Sequence, residues 1–199
     1  MAVHVEMGYV AVDPVRLPDA LGYLADEARV VIGDELGNLG MSLAANTELG
    51  VAVAGFFWVS GDAMRESEKK LAGAWDETGR RGAGTVSVER FEVASSVRVA
   101  PGAGVRLTRL ETAPARVSEA IEAYEDVALP WLLDTPGFCG AILCVDRRTG
   151  KSVVETSWRD AETLAASRSA AAAIRVDAVA ATDSAMRAVE EYYTVINSM

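Results

Sequence analysis

Sliding the chain against itself by 100 positions brings Val5 onto Val105, Pro14 onto Pro114, Arg16 onto Arg116, Ala20 onto Ala120 and Asp26 onto Asp126 without a gap. The register continues through Ala28 and Ala128, Asp34 and Asp134, Gly37 and Gly137, Gly40 and Gly140, Leu43 and Leu143, Gly50 and Gly150, Val53 and Val153, and Trp58 and Trp158. No other feature constrains the fold as strongly, because two halves that share turn and core positions share one structural plan. Proline and glycine mark where the chain changes direction, and the matched apolar positions lie between them.

Each half reads as βαββαβ. HVEMGYVAV alternates as a strand, and Leu17, Leu21, Leu24, Ala28 and Val31 form the apolar stripe of a helix. The second half repeats this as GVRLTRLET followed by Val117, Ile121, Tyr124, Ala128 and Trp131, with Pro130 expected to kink or end the helix. LGMSLAAN and VAVAGFFWV, separated by Thr47 to Gly50, predict a hairpin, and FCGAILCVD and KSVVETSW around Arg147 to Gly150 predict its counterpart. A second helix carries Met64, Leu71 and Trp75 on its apolar face, matched by Leu164, Ala171 and an Ala-rich continuation, with Ser60 and Asp160 as N-caps. TVSVERFEV and VEEYYTVI close the two units at a shift of about 102, which pairs Phe91 with Tyr193. This order is the ferredoxin-like, split βαβ pattern of an α+β fold. The expected domains are 1–98 and 104–199, joined by the turn-rich stretch Val99 to Gly104.

Composition narrows the function classes. With 50% hydrophobic residues among 199, the chain is long enough to bury a sizeable core. Lys and Arg total 19 against 29 Asp and Glu, and the net charge of -10 repels phosphate backbones and anionic bilayers, so neither nucleic acid nor membrane is expected as a partner. MAVHVEMGYVAVDP lacks the basic flank and apolar stretch of a signal peptide, so the mature chain is expected to begin here. Cys139 and Cys144, five apart on a predicted strand, point to opposite faces; two reduced, buried thiols suit a cytoplasmic protein. The excess of Arg over Lys and the abundance of Ala fit a GC-rich bacterial genome.

A βαββαβ unit of this length, with a Trp ending its third strand and an acidic helix start just after it (SWRDAETLAAS, and FFWVSGDAMRES in the first copy), resembles the antibiotic biosynthesis monooxygenase family of dimeric α+β barrels. The resemblance implies two tandem ferredoxin-like units closing an intrachain barrel, as a monomer with pseudo-twofold symmetry or a homodimer. It also implies a cofactor-independent monooxygenase-like activity on an apolar, aromatic or polyketide-type small molecule. The alternative is a non-catalytic binding or accessory protein that holds a hydrophobic ligand or haem. Quinone-forming members carry an Asn shortly before the Trp where this chain has Ala54 and Val154, and haem-degrading members carry a later His where it has Glu68 and Arg168.

On this resemblance Trp58 and Trp158 donate indole N–H bonds or stack on substrate, and Tyr9, Tyr23 and Tyr124 supply hydroxyls, which makes Trp58, Trp158, Tyr9 and Tyr124 the candidate catalytic residues. Read from the residues alone, a Trp at the end of a buried strand serves equally as a core anchor. No cofactor or metal is expected: His4 is the only histidine, which excludes a multi-histidine metal site, and no GxSxG elbow accompanies it. Arg106 and Arg109 lie on opposite faces of their strand, and an arginine facing the interior requires a carboxylate partner or an anionic ligand. Glu111, Glu155 and Glu190 are candidate partners. GRRGAG and PGAG read as turns, and Arg65 to Lys70 as the solvated face of a helix. The copies diverge at Gly22-Tyr23 against Glu122-Ala123 and at Gly55-Phe56-Phe57 against Glu155-Thr156-Ser157, so one pocket is expected to persist while the other fills.

Overall fold

The computed structural model describes residues 2–197. The first half runs β1 (His4–Ala11), a helical stretch α1 (17–33), β2 (Asn38–Asn46), β3 (Val51–Trp58), α2 (Gly61–Glu66), α3 (Glu68–Gly82) and β4 (Thr85–Arg98). The second runs β5 (Gly104–Glu111), a helical stretch α4 (114–134), β6 (Phe138–Asp146), β7 (Lys151–Trp158), α5 (Ala161–Ala166), α6 (Arg168–Thr182), β8 (Ala185–Tyr192) and β9 (Thr194–Asn197). The fold is α+β, with the ferredoxin-like order in both halves.

Contacts divide the described residues into two compact units. One holds the residues up to Glu92 together with those from Thr194 onward, and the other holds Val93–Tyr193. The first unit therefore gains β9, which pairs antiparallel with β2, giving the strand order β4-β1-β3-β2-β9. In the second unit the order is β8-β5-β7-β6, and β4 from Val93 onward lies beside β6, where Ala94 and Val97 pack against the core. Residues 93–98 thus sort with the second unit.

Local chemistry explains the turns. Gly50 and Gly150 end the paired hairpin loops with φ of +68° and +79°, and a Cβ at Gly150 would lie 1.7 Å from the Thr112 carbonyl oxygen. Only glycine fits there. The Ser60 hydroxyl caps α2 by accepting from the Ala63 N–H, and Asp160 forms a reciprocal capping box with Thr163.

Both first helices contain a π-helical stretch. α1 comprises Leu17–Gly22, π-helical Tyr23–Ala28 and Arg29–Gly33, and α4 comprises the 3-10 turn Pro114–Arg116, Val117–Ala123, π-helical Tyr124–Ala128 and Leu129–Asp134. A π turn uses an extra residue and advances the phase of everything after it. Ile32, not the expected Val31, consequently reaches the core, while Val31 is exposed. Pro130 does not end α4: it sits at the start of Leu129–Asp134, and the π stretch also occurs in the first copy, which has Val30 at that position.

The closing strands align differently from expectation. Phe91 pairs with Val5 and Tyr192 pairs with Val105, so the equivalent of Phe91 is Tyr192, not Tyr193. A register shift between Arg109 and Leu110 places one extra residue, Arg187, on β8. Tyr192 is buried as a result, and Tyr193 is exposed.

Candidate functional site

In the first unit the space between sheet and helices is filled. Trp75 from α3 lies against Gly8 and meets Phe56 edge to face, with ring centroids 5.5 Å apart. Its indole Nε1 donates to Glu6 Oε1 at 2.8 Å, and Glu6 Oε2 accepts from Arg90 Nε at 2.6 Å. Leu71, Met41 and Leu24 complete a continuous apolar core.

The second unit has the same walls and a different filling. Thr156 stands for Phe56, Ala171 for Leu71, Thr108 for Gly8, Arg106 for Glu6 and Arg175 for Trp75. The volume so vacated is a cavity of about 110 Å³, bounded by α4, α6 and the helix-facing side of β5, β6 and β7. Tyr124, Trp131 and Trp158 form its aromatic walls, and among the described residues no Asp or Glu lines it.

The ion pair across the first and last strands has reversed polarity between the copies. Glu6 faces Arg90 in one, and Arg106 faces Glu191 in the other. Arg106 is buried: its Nη2 donates to Glu191 Oε1 at 2.8 Å and to the Leu164 carbonyl at 2.7 Å, and its Nη1 donates to Ser167 Oγ at 2.9 Å. Arg106 pairs with Glu191, the residue directly opposite it on β8, and not with the expected Glu111, Glu155 or Glu190. Desolvation works to raise the Glu191 carboxyl, but hydrogen bonds from Arg168 and Arg106 hold it down at about 2. The Arg106 guanidinium also lies 5.7 Å from the centre of the Trp158 ring.

Trp158 and Tyr124 come together at this cavity, and the other two candidates do not join them. Trp158 is buried and donates its Nε1 proton to Thr156 Oγ1 at 3.0 Å, so its ring is a wall and its N–H is engaged. Burial raises the Tyr124 hydroxyl well above its ordinary value and keeps it a protonated donor. Trp58 is enclosed in the filled core, where its Nε1 meets no hydrogen-bond acceptor among the described residues. Tyr9 lies on the face of β1 opposite Gly8 and Val10 and donates to Met7 Sδ at 3.7 Å. Tyr23 is half-buried at the edge of the first unit's core, under the Arg81 guanidinium.

Sequence reasoning missed Arg175. The signal was present in the repeat register, where a bulky apolar residue, Trp75, is answered by a cation on an otherwise Ala-rich helix. Burial lowers the Arg175 guanidinium, with the nearby Arg106 adding to the effect, and its Nε is buried with no hydrogen-bond acceptor among the described residues.

The opposite face of the second sheet carries a separate group. The Glu155 carboxyl is pushed up to about 7 by desolvation, and burial raises the thiol of Cys144 well above the ordinary range. Both cysteines are unpaired and buried.

With this geometry established, solved structures identify the architecture. An anthrone oxidase-like protein superposes with a TM-score of 0.71 over 98% of this chain and 92% of its own, at 16% identity. The fold is that of the antibiotic biosynthesis monooxygenase-like proteins. Other monooxygenase-like folds agree: a monooxygenase-like protein from Listeria innocua matches 99% of the chain and 96% of its own (TM-score 0.60, 9% identity), and the heme-degrading enzyme LmHde from Listeria monocytogenes matches 96% of the chain and 99% of its own (TM-score 0.57, 10% identity). In sequence, the chain is 32% identical to the uncharacterized protein Rv2557 of Mycobacterium tuberculosis over 125 residues, 61% of the chain and 56% of that protein. The uncharacterized protein Rv2558 of the same organism is 28% identical over 170 residues, 83% of the chain and 72% of that protein. The chain thus spans little more than half the length of the first of these relatives. No protein-family model matches it. Among the described residues no helix is long and apolar enough to cross a membrane.

Proposed function

We propose that the second unit is the working half of a cofactor-independent monooxygenase-like protein whose cavity holds an aromatic small molecule. The observation that carries this reading is the hollowing of one copy only: Phe56 and Trp75 fill the first unit, and Thr156 and Arg175 leave the second open behind walls of Tyr124, Trp131 and Trp158. A largely apolar concavity with a few convergent polar groups is the form that small-molecule sites take.

The chemistry asked of such a site is modest. An anthrone-type substrate gives a ring CH2 proton to solvent water, the enolate passes one electron to dioxygen, the two radicals join in a carbon–oxygen bond, and the peroxide anion takes a proton back from water to give a hydroperoxide. Loss of water from the resulting hydroperoxide leaves the carbonyl, so one substrate and one O2 give one quinone and one H2O. The cavity encloses and orients the substrate, and the Tyr124 hydroxyl, kept protonated by burial, donates to the enolate oxygen. Trp158 supplies a stacking surface held in place by its bond to Thr156.

A non-catalytic ligand-binding role is the second reading. It is favoured by the lining itself, which among the described residues contains no His, Asp, Glu or Cys to act as a base near neutrality. Haem fits poorly, because among the described residues the lining offers no His, Cys or Met as an axial ligand and burial keeps the Tyr124 hydroxyl protonated and so disfavours the phenolate that would ligate iron.

Oxygen uptake with a panel of anthrones and hydroquinones tests the first reading. Wild-type protein should consume oxygen with at least one of them, and Thr156→Phe, which restores the filling of the first copy, should not. Uptake no faster than that of Thr156→Phe across the panel would leave binding without catalysis as the function.

A further inference from the structure

The cavity of the second unit carries more positive charge than its surroundings neutralise. Arg106 and Arg168 share one carboxylate, Glu191. Arg175, on the cavity wall, faces the same region, feels the repulsion of Arg106 ahead of the attraction of the shared Glu191, and has a buried Nε with no acceptor among the described residues. No Asp or Glu among the described residues lines the cavity, in a chain whose net charge is -10. A buried guanidinium N–H left unpaired costs free energy that a charge-assisted bond to an anion recovers. The equivalent place in the first unit shows that the fold does not require a cation there. Trp75 occupies it, and its N–H is satisfied by Glu6.

We propose that Arg175 is the anion subsite of this cavity and that the ligand is an aromatic carboxylate, its ring between Trp131 and Trp158 and its carboxylate accepting from the Arg175 Nε–H. The inference rests on the reading of the cavity as an aromatic-ligand site and adds the charged group that the ligand carries. An ionised carboxylate suits the position better than a neutral hydroxyl. It supplies both the missing acceptor and the missing negative charge, and guanidinium–carboxylate geometry favours a fixed orientation of the ring.

Isothermal titration of the full chain with 2-naphthoate and with its neutral near-isostere 2-naphthamide tests this. The carboxylate should bind about tenfold more tightly, and Arg175→Met should erase that preference while leaving the affinity for the amide within about twofold. Arg175→Lys, which keeps the charge and loses the planar donor, should retain part of the preference and so controls for misfolding of the Met variant. Equal affinity of the wild type for both ligands would overturn the anion subsite while leaving the aromatic cavity intact. An equal loss for both ligands in Arg175→Met would overturn it as well, by showing a structural role. Binding of neither ligand would overturn the cavity reading and the subsite together.

Discussion

The ring of Trp75 lies so close over Gly8 that a Cβ built on Gly8 would stand 2.6 Å from Trp75 Cζ3. The glycine is the seat of the tryptophan, and together they close the first unit. Gly8→Ala should therefore destabilise the protein by about 1–3 kcal/mol through overpacking. Trp75→Ala should cost about 3–5 kcal/mol by leaving a void next to Phe56. Urea unfolding curves measure both. A neutral Gly8→Ala would show that the ring moves aside without cost.

Trp158 and Trp58 differ in one hydrogen bond, the one that Thr156 accepts and Phe56 cannot. Thr156→Val should leave the Trp158 N–H buried and unpaired, at a cost of about 1–3 kcal/mol, while preserving the size of the cavity. Thermal melts read the stability, and binding of 2-naphthamide checks that the cavity persists. An unchanged melting temperature would mean that the indole finds another acceptor.

The Arg106–Glu191 pair is shielded from solvent, most completely on the arginine side. Arg106→Ala removes the guanidinium that holds Ser167, the Leu164 carbonyl and Glu191 together, and should cost about 3–5 kcal/mol. Glu191 has a folded value of about 2, below its ordinary 4.5, so its contribution is fully present above about pH 4.5 and disappears as pH falls towards 2. Acid unfolding of Glu191→Gln should show a shallower slope across that window than the wild type.

Glu155 has the opposite sign. Its folded value of about 7 stands above the ordinary 4.5, so the unfolded chain releases this proton first, and stability falls as pH rises from 4.5 through 7. Glu155→Gln should flatten the melting temperature between those limits and raise it at pH 8. If the variant melts below the wild type at pH 8, the carboxylate is stabilised by a partner when ionised.

Cys139 and Cys144 are buried thiols whose values are raised by desolvation. The thiolate is the reactive form, so Ellman's reagent should label neither in the native protein at pH 8 and both after denaturation. Rapid native labelling of Cys144 would indicate that β6 opens locally.

The repeat alone determined the plan of this protein. Positions such as Gly50 and Gly150, or Ser60 and Asp160, act on their immediate neighbours, and the identities of two or three residues suffice to place a hairpin loop or a helix start. The phase change at Tyr23–Ala28 and Tyr124–Ala128 is not legible in the sequence, because a π turn depends on how the whole helix lies on the sheet. The hollow half was likewise beyond local reading. Phe56 against Thr156 was visible as a difference, but a void is the sum of volumes that meet from β5, β7, α4 and α6, and only packing brings Thr108, Thr156, Ala171 and Arg175 to one place. The same holds for charge. Arg175 stands out only once the tertiary structure buries its Nε and brings it near Arg106, whose carboxylate partner Glu191 is already shared with Arg168.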